Sequence, residues 1–180
     1  MPNGSLRVLH YDTIVVTAGA VTRTFPIDGI AEYAIGLKTV EEAVAVRDQL
    51  MIAFEKAAAI PDGPERRRLL TVTVVGGGFS GVELFGEMLS LGSSLLRWYE
   101  ELSFSELSFH LIEASPRILP EVTEAPGRWV VDELTRRGGH VHLDSRVVSA
   151  RDGRIELSTG ESYPNNILVW AAGNAANPVV

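Results

Sequence analysis

The sequence predicts an α/β fold: a doubly wound parallel sheet with an appended antiparallel β-meander. Three observations predict it. Thr71 to Val75 are β-branched throughout, stiff at χ1 and suited to a strand buried on both faces. Strand-like and helix-period runs then alternate as far as Leu143, the order in which parallel strands take helical crossovers. From Arg146 to Ser162 the pattern changes to short alternating runs, Val147-Val148 and Ile155-Glu156-Leu157. Turns at Asp152-Gly153 and Thr159-Gly160 separate them, which are hairpin signals.

Leu6 to His10 and Tyr11 to Thr17 read as two short extended segments after an Asn3-Gly4 turn. The second runs into Ala18, Gly19 and Ala20, small residues that permit close approach of another backbone or a ligand. Phe25 to Gly29 is a turn-rich connector. Thr39 opens a helix with Glu42 three residues on, a capping box. The expected apolar face is Val40, Val44, Leu50, Met51 and Phe54, and Pro61-Asp62-Gly63-Pro64 stops the helix. Nothing about it looks chemical.

After the strand at Thr71–Val75, Val82, Phe85 and Leu89 repeat at helical spacing. A break is expected at Leu91-Gly92-Ser93-Ser94, followed by a short amphipathic stretch from Leu95 to Leu102. Ser108 to Glu113 is the second strand and Ala114 to Pro120 a proline-bounded loop. A helix from about Pro126 to Arg137 is ended by Gly138-Gly139. His140 to Leu143 forms the third strand. Ile167 to Trp170 is a last buried strand, closed by Ala171, Ala172, Gly173 and Asn174.

The length of 180 residues suits one domain with a substantial core. Apolar residues at 46% and charged residues at 22% are ordinary for a soluble globular chain. A net charge of −7, with no basic face interleaved with aromatics, argues against nucleic acid as a partner. The tetrad Glu65-Arg66-Arg67-Arg68 reads as a solvated loop. Without cysteine the chain has neither a disulfide framework nor a Cys-x-x-Cys redox pair. No apolar run reaches membrane-span length and the start lacks a signal-peptide pattern, so a soluble cytoplasmic domain is expected.

Gly76, Gly78 and Gly81 carry the chemistry. They are spaced G-x-G-x-x-G between a strand and a helix, the context that makes the sheet Rossmann-like and points to a dinucleotide. Gly76 makes the tight turn, Gly78 lets a pyrophosphate approach the backbone, and Gly81 allows close helix–strand packing. The helix N-terminus adds unpaired N–H groups and a partial positive charge. The bland alternative is an ordinary βα turn with spare glycines.

Glu113, at the end of the second strand, is placed to accept hydrogen bonds from the adenosine ribose. It would repel a 2′-phosphate, which favours NAD(H) over NADP(H). It lies 32 residues beyond Gly81, more than the usual ~20; an inserted segment from Ser90 to Glu106 accounts for the excess. Arg117 either contacts the adenosine phosphates or pairs with Glu113. Glu83 either faces the nicotinamide carboxamide or is a carboxylate complementing the helix dipole. His140 and His142 alternate on one strand and share a face, but no third ligand lies near in sequence, so no metal is expected. There is no Gly-x-Ser-x-Gly, no His-Glu-x-x-His and no nucleophilic cysteine, hence no hydrolytic apparatus in this chain.

Taken together, these stretches resemble the flavoproteins of the pyridine nucleotide–disulfide oxidoreductase superfamily, and within it the type II NADH dehydrogenases. Tyr11-Asp-Thr-Ile-Val-Val-Thr-Ala-Gly19 is similar to the strand leaving the flavin domain in such enzymes. Val74 to Glu83, Leu111 to Pro120 and Val169 to Gly173 follow the family pattern in the family order. The flavin-binding glycine fingerprint, the Gly-Asp flavin motif and the C-terminal membrane-docking helices of the family are absent from these residues. The resemblance therefore implies residues 1–24 as strands at a flavin-domain boundary and residues 25–180 as the NADH-binding domain. It implies NADH held by Gly76, Gly77, Gly78, Phe79, Ser80, Gly81, Glu83, Glu113, Arg117, Ala172 and Gly173, with Ala18 and Gly19 on the flavin side. The parent would carry FAD, reduce a quinone, sit peripherally on the cytoplasmic membrane face and be a possible homodimer; this chain alone would be inactive. NAD domains of reductases acting on ferredoxin, nitrite or disulfides, and a non-catalytic NAD-binding module, are the alternatives.

Overall fold

A computed structural model describes residues 4–23 and 25–179 of the chain. Asn3 of the expected first turn and Thr24 at the expected domain boundary lie outside the described residues. The elements are β1 (Ala20–Thr22), α1 (Ile30–Tyr33), β2 (Ala34–Gly36), α2 (Val40–Ala58), α3 (Pro64–Leu69), β3 (Thr71–Val75) and α4 (Phe79–Leu95). A 3-10 turn (Phe104–Glu106) precedes β4 (Ser108–Ile112), α5 (Glu124–Arg136) and β5 (Gly139–His142). The chain continues through β6 (Val147–Ser149), β7 (Arg154–Leu157), β8 (Ser162–Pro164), β9 (Ile167–Trp170) and β10 (Asn174–Ala176).

β2, β9, β3, β4 and β5 lie in that order in one sheet, and every pair in it is parallel. Alternate side chains divide between two cores. Val72 and Val74 of β3, Phe109 and Leu111 of β4, and Ile167 and Val169 of β9 pack with Leu50 and Phe54 of α2, Phe85 and Met88 of α4, and Leu134 of α5. Val75, Ile112, Leu168 and Trp170 point the other way, onto Val147, Ile155 and Leu157 of the antiparallel meander β6-β7-β8. With both faces covered, the central strands are buried along nearly their whole length, and that includes polar Thr73 and His110 on the meander face. Asp152 and Gly153 at the first meander turn both have positive φ (52° and 66°), matching the Asp-Gly hairpin signal.

Several expectations need correction. Leu6 to Thr17 pairs with no strand, and Leu6, Val8, Tyr11, Ile14 and Val15 are exposed. Only Ala20–Thr22 pairs, antiparallel with Asn174–Ala176, in a two-stranded ribbon joining the start and end of the described chain. The edge strand β2 was not expected; three residues of Ala-Ile-Gly are too short to show a period. The Thr39–Glu42 capping box forms in both directions, at 3.1 Å and 3.0 Å. The stripe buried by α2 is nevertheless Val46, Leu50, Ala53, Phe54 and Ala57, with Val40, Val44 and Met51 on the exposed side.

α4 runs unbroken through the expected break at Leu91–Ser94. Gly92 lies where the helix presses on β4, and a Cβ there would come within 3.0 Å of the Phe109 ring. The glycine permits contact rather than ending the helix. Arg66, expected in a solvated loop, is buried on α3, donates to the Glu101 carbonyl and pairs with Glu106 at 3.4 Å. Pro64 starts that helical turn at a position where no backbone N–H is needed.

Candidate functional site

From β3 the chain steps to β4 and β5 on one side, while β9 and then β2 lie on the other. The sheet therefore has its topological switch point between β3 and β9, and open α/β sheets present ligand crevices at the carboxyl ends of such strands. The two loops that leave there are residues 76–78 and 171–173.

They meet backbone to backbone. Gly76 has φ 115°, and a Cβ on it would lie 2.8 Å from the Ala172 nitrogen. Its N–H donates to the Ile112 carbonyl at 2.8 Å, and the Ala171 N–H to the Val75 carbonyl at 2.8 Å. Gly81, on the first turn of α4, faces the Gly76 carbonyl so closely that a Cβ would sit 1.9 Å from its oxygen. Gly78 is the N-cap of α4 with no side-chain capping bond, so the first N–H groups of that helix stay open toward the crevice. A Cβ on Gly78 would meet nothing within 4 Å. The turn thus combines tight contact below with open space above.

Glu113 closes one end. Its Oε2 accepts the Gly77 N–H at 2.6 Å and its Oε1 the Ser115 N–H at 2.7 Å. Two backbone donors fix the carboxylate against the glycine loop, and a carboxylate has lone pairs left for further donors. The resulting cleft, about 450 Å³, is lined by Gly76, Gly77, Gly78, Phe79, Ser80, Gly81, Glu113, Ala172 and Gly173, all named from the sequence. Lys38, Glu121, Ala171 and Asn174 line it as well and were not named. Lys38 was missed because it follows β2, the strand too short to read.

Other expected residues lie elsewhere. Glu83 is exposed on α4, outside the lining of the cleft. Arg117 does not pair with Glu113: its guanidinium donates to the Pro120 carbonyl and borders a separate hollow with Glu124 and Arg128. Ala18 and Gly19 sit at the outer end of the ribbon, where their carbonyls accept from the Asn177 side chain at 3.1 Å and backbone at 3.3 Å. An apolar cavity of about 540 Å³ lies beyond Gly76 and Ala172, walled by Phe25, Ile27, Val147 and Trp170. A further cavity, about 650 Å³, is at the opposite, amino-terminal end of the strands. Its Arg68 and Arg67 are already paired with Glu65 and Asp62, at 2.7 Å and 3.5 Å.

His140 and His142 do share a face, and it is the meander face. His110 of β4 stacks on both, with ring centroids 4.9 Å and 5.2 Å away, and on Tyr163 of β8 at 4.0 Å. Burial first, and the neighbouring imidazoles second, push the His110 pKa down to about 3. Burial also lowers His142, against the pull of Glu161 at 3.4 Å, and raises the Tyr163 phenol. Among the described residues no group of three or more His, Cys, Asp or Glu could hold a metal ion.

The family model for pyridine nucleotide-disulphide oxidoreductases matches residues 2–180. The chain belongs to that family. Within it, the chain is 33% identical over 177 residues to a type II NADH:quinone oxidoreductase, NdhA, of Mycobacterium tuberculosis, covering 96% of this chain and 38% of that protein. It is 37% identical over 172 residues to the external NADH-ubiquinone oxidoreductase 2 of Saccharomyces cerevisiae mitochondria, covering 92% of this chain and 31% of that one. Among solved structures, NDH2 of Plasmodium falciparum in complex with NADH superimposes with a TM-score of 0.80 at 26% identity, over 88% of this chain and 34% of that one. This member of the pyridine nucleotide-disulphide oxidoreductase family thus spans about a third of the length of the relatives it matches. Among its described residues no helix is long and apolar enough to cross a membrane.

Proposed function

We propose that this chain is the NADH-binding domain of an FAD-dependent NADH:quinone oxidoreductase, and that it orients NADH for hydride transfer to the flavin. The observation that carries the proposal is the convergence, at the switch point, of an uncapped helix N-terminus, a glycine turn and a carboxylate held by two backbone amides. The α4 N–H groups and Gly76 to Gly81 take the pyrophosphate. Glu113 accepts from the adenosine ribose hydroxyls and repels a 2′-phosphate, so NADH is preferred to NADPH. Ala172 and Gly173 then border the nicotinamide half. Glu83 serves the nicotinamide where it extends past the cleft, and Arg117, committed to Pro120, takes no part. The flavin, when bound, accepts the hydride; the residues of this chain bind the donor, orient it and contribute no catalytic group.

In this reading residues 1–24 and 25–180 divide at the flavin-domain boundary, with Ala18 and Gly19 on the flavin side. Membrane attachment on the cytoplasmic face, and pairing into a homodimer, belong to the parent enzyme. Calorimetric titration tests the site directly. The purified chain should be colourless, bind NADH more tightly than NADPH, and reduce no quinone or dye. Glu113→Ala should weaken NADH binding by roughly 1–3 kcal/mol, the range for a hydrogen bond to a charged group. Unchanged affinity would remove the ribose assignment, and activity of the chain alone would remove the domain reading.

A further inference from the structure

Lys38 brings a positive charge to the lining of the cleft. Lys38 follows the edge strand β2, beside β9, and lines the cleft at the end opposite Glu113. Its loop is held in place: Glu42 Oε2 accepts both the Lys38 N–H, at 2.5 Å, and the Thr39 N–H, at 3.0 Å. Glu42 also fills the space beside Gly36, the residue that ends β2. The backbone of Lys38 is thereby pinned while its side chain, half-buried, borders the cleft. Among the described residues no carboxylate lies within ion-pair distance of its ammonium. Glu113 and Glu121 are the acids of the cleft, and Glu113 belongs to the β4 side.

Orientation gives this cation a use, and the inference rests on the NADH reading. With the adenosine ribose at Glu113 and the pyrophosphate on α4, the remaining half of the dinucleotide runs across the switch point toward β9 and β2. The nicotinamide therefore lies on the Lys38 side. Its ring is neutral in NADH and cationic in NAD⁺.

We infer that Lys38 makes the cleft discriminate between the two redox forms of its dinucleotide, accepting the neutral nicotinamide and disfavouring the cationic one. Oxidation of the bound ring places a second positive charge at the same end of the cleft. Lys38 thus lowers the affinity for the oxidised product relative to the substrate it came from, against the attraction of the Glu83 carboxylate and without any movement of the glycine turn. Lys38 is a specificity-determining residue in this scheme and touches no reacting bond.

The test is calorimetric titration of the 180-residue chain with NADH, NAD⁺ and ADP-ribose, which lacks the nicotinamide. In Lys38→Met the ratio of the NAD⁺ to the NADH dissociation constant should fall by about three- to tenfold, the effect of one unit charge a few ångströms away in a solvent-exposed cleft. ADP-ribose affinity serves as the baseline for any general loss of phosphate attraction. Lys38→Arg, which keeps the charge, should retain the wild-type ratio. An unchanged ratio in Lys38→Met overturns the inference, including the case in which all three ligands weaken together, because Lys38 would then serve the diphosphate alone. If the wild-type chain binds neither NADH nor ADP-ribose, the NADH reading itself fails, an outcome distinct from an unchanged ratio.

Discussion

Acid should destabilise this fold through one histidine. His110 is 6% exposed, sandwiched between β5 and the meander, with Ser108 Oγ 2.8 Å from one ring nitrogen and His142 Nε2 3.0 Å from the other. Its folded pKa, pushed down to about 3, lies well below the ordinary value of about 6.5 in an unfolded chain. The unfolded state therefore binds the proton first. The stabilising contribution is complete above about pH 6.5 and is lost as pH falls from there toward 3. Between pH 7.5 and pH 5 the difference amounts to about 1.5 pKa units, or about 2 kcal/mol. That window lies above the range in which ordinary carboxylates titrate, so His110 dominates it, with His142 shifted in the same direction. Urea unfolding followed by circular dichroism at pH 7.5, 6 and 5 measures the slope. His110→Phe keeps a flat ring against Tyr163 but has no proton to bind, and should flatten the dependence by about 2 kcal/mol over the same interval. Equal slopes in the two proteins would refute the assignment. A uniform offset would show only lost hydrogen bonds to Ser108 and His142.

Two close-packed glycines give further tests. Gly81→Ala sets a Cβ 1.9 Å from the Gly76 oxygen, so α4 and the turn must separate. An overpacking cost on the order of 1–3 kcal/mol is expected, with Tm lower by roughly 2–4 °C per kcal/mol and NADH binding abolished in calorimetry. Gly92→Val presses on Phe109 and should lower stability to denaturant by about 1–3 kcal/mol. A Phe109→Ala background should relieve much of that cost in a double-mutant cycle.

What the sequence made legible was whatever repeats or carries a backbone constraint. β3, β4 and β9 are short runs rich in β-branched and apolar residues, bounded by turns, and could be found without knowing their neighbours. The glycine turn was readable because Gly76 and Gly81 answer to steric demands that no other residue meets. Strand order was not readable: nothing local says that β9, distant in sequence, inserts beside β3. Gly92 misled because a helix-breaking residue and a helix-packing residue are the same glycine, and only Phe109 distinguishes them. Arg66 misled in the same way, since its burial depends on Glu101 and Glu106 well beyond its own loop. Lys38 escaped because its relevance comes from the position of β2 at the sheet edge and not from its neighbours in sequence.

The walls of the cleft come from the loops that follow four different parallel strands, β2, β3, β4 and β9, and their residues run from Lys38 to Asn174. The β3–α4–β4 unit holds the glycine turn and Glu113 but neither Lys38 nor Ala171 to Asn174, so a partly unfolded chain lacks the complete site. An occupant that engages all of these walls therefore binds the complete fold. At a hundredfold excess over its dissociation constant it would add about 2.7 kcal/mol to global stability. Hydrogen-exchange protection from such an occupant should rise across the whole parallel sheet at once, from the edge strand β2 to β5, and not only in the loops it touches.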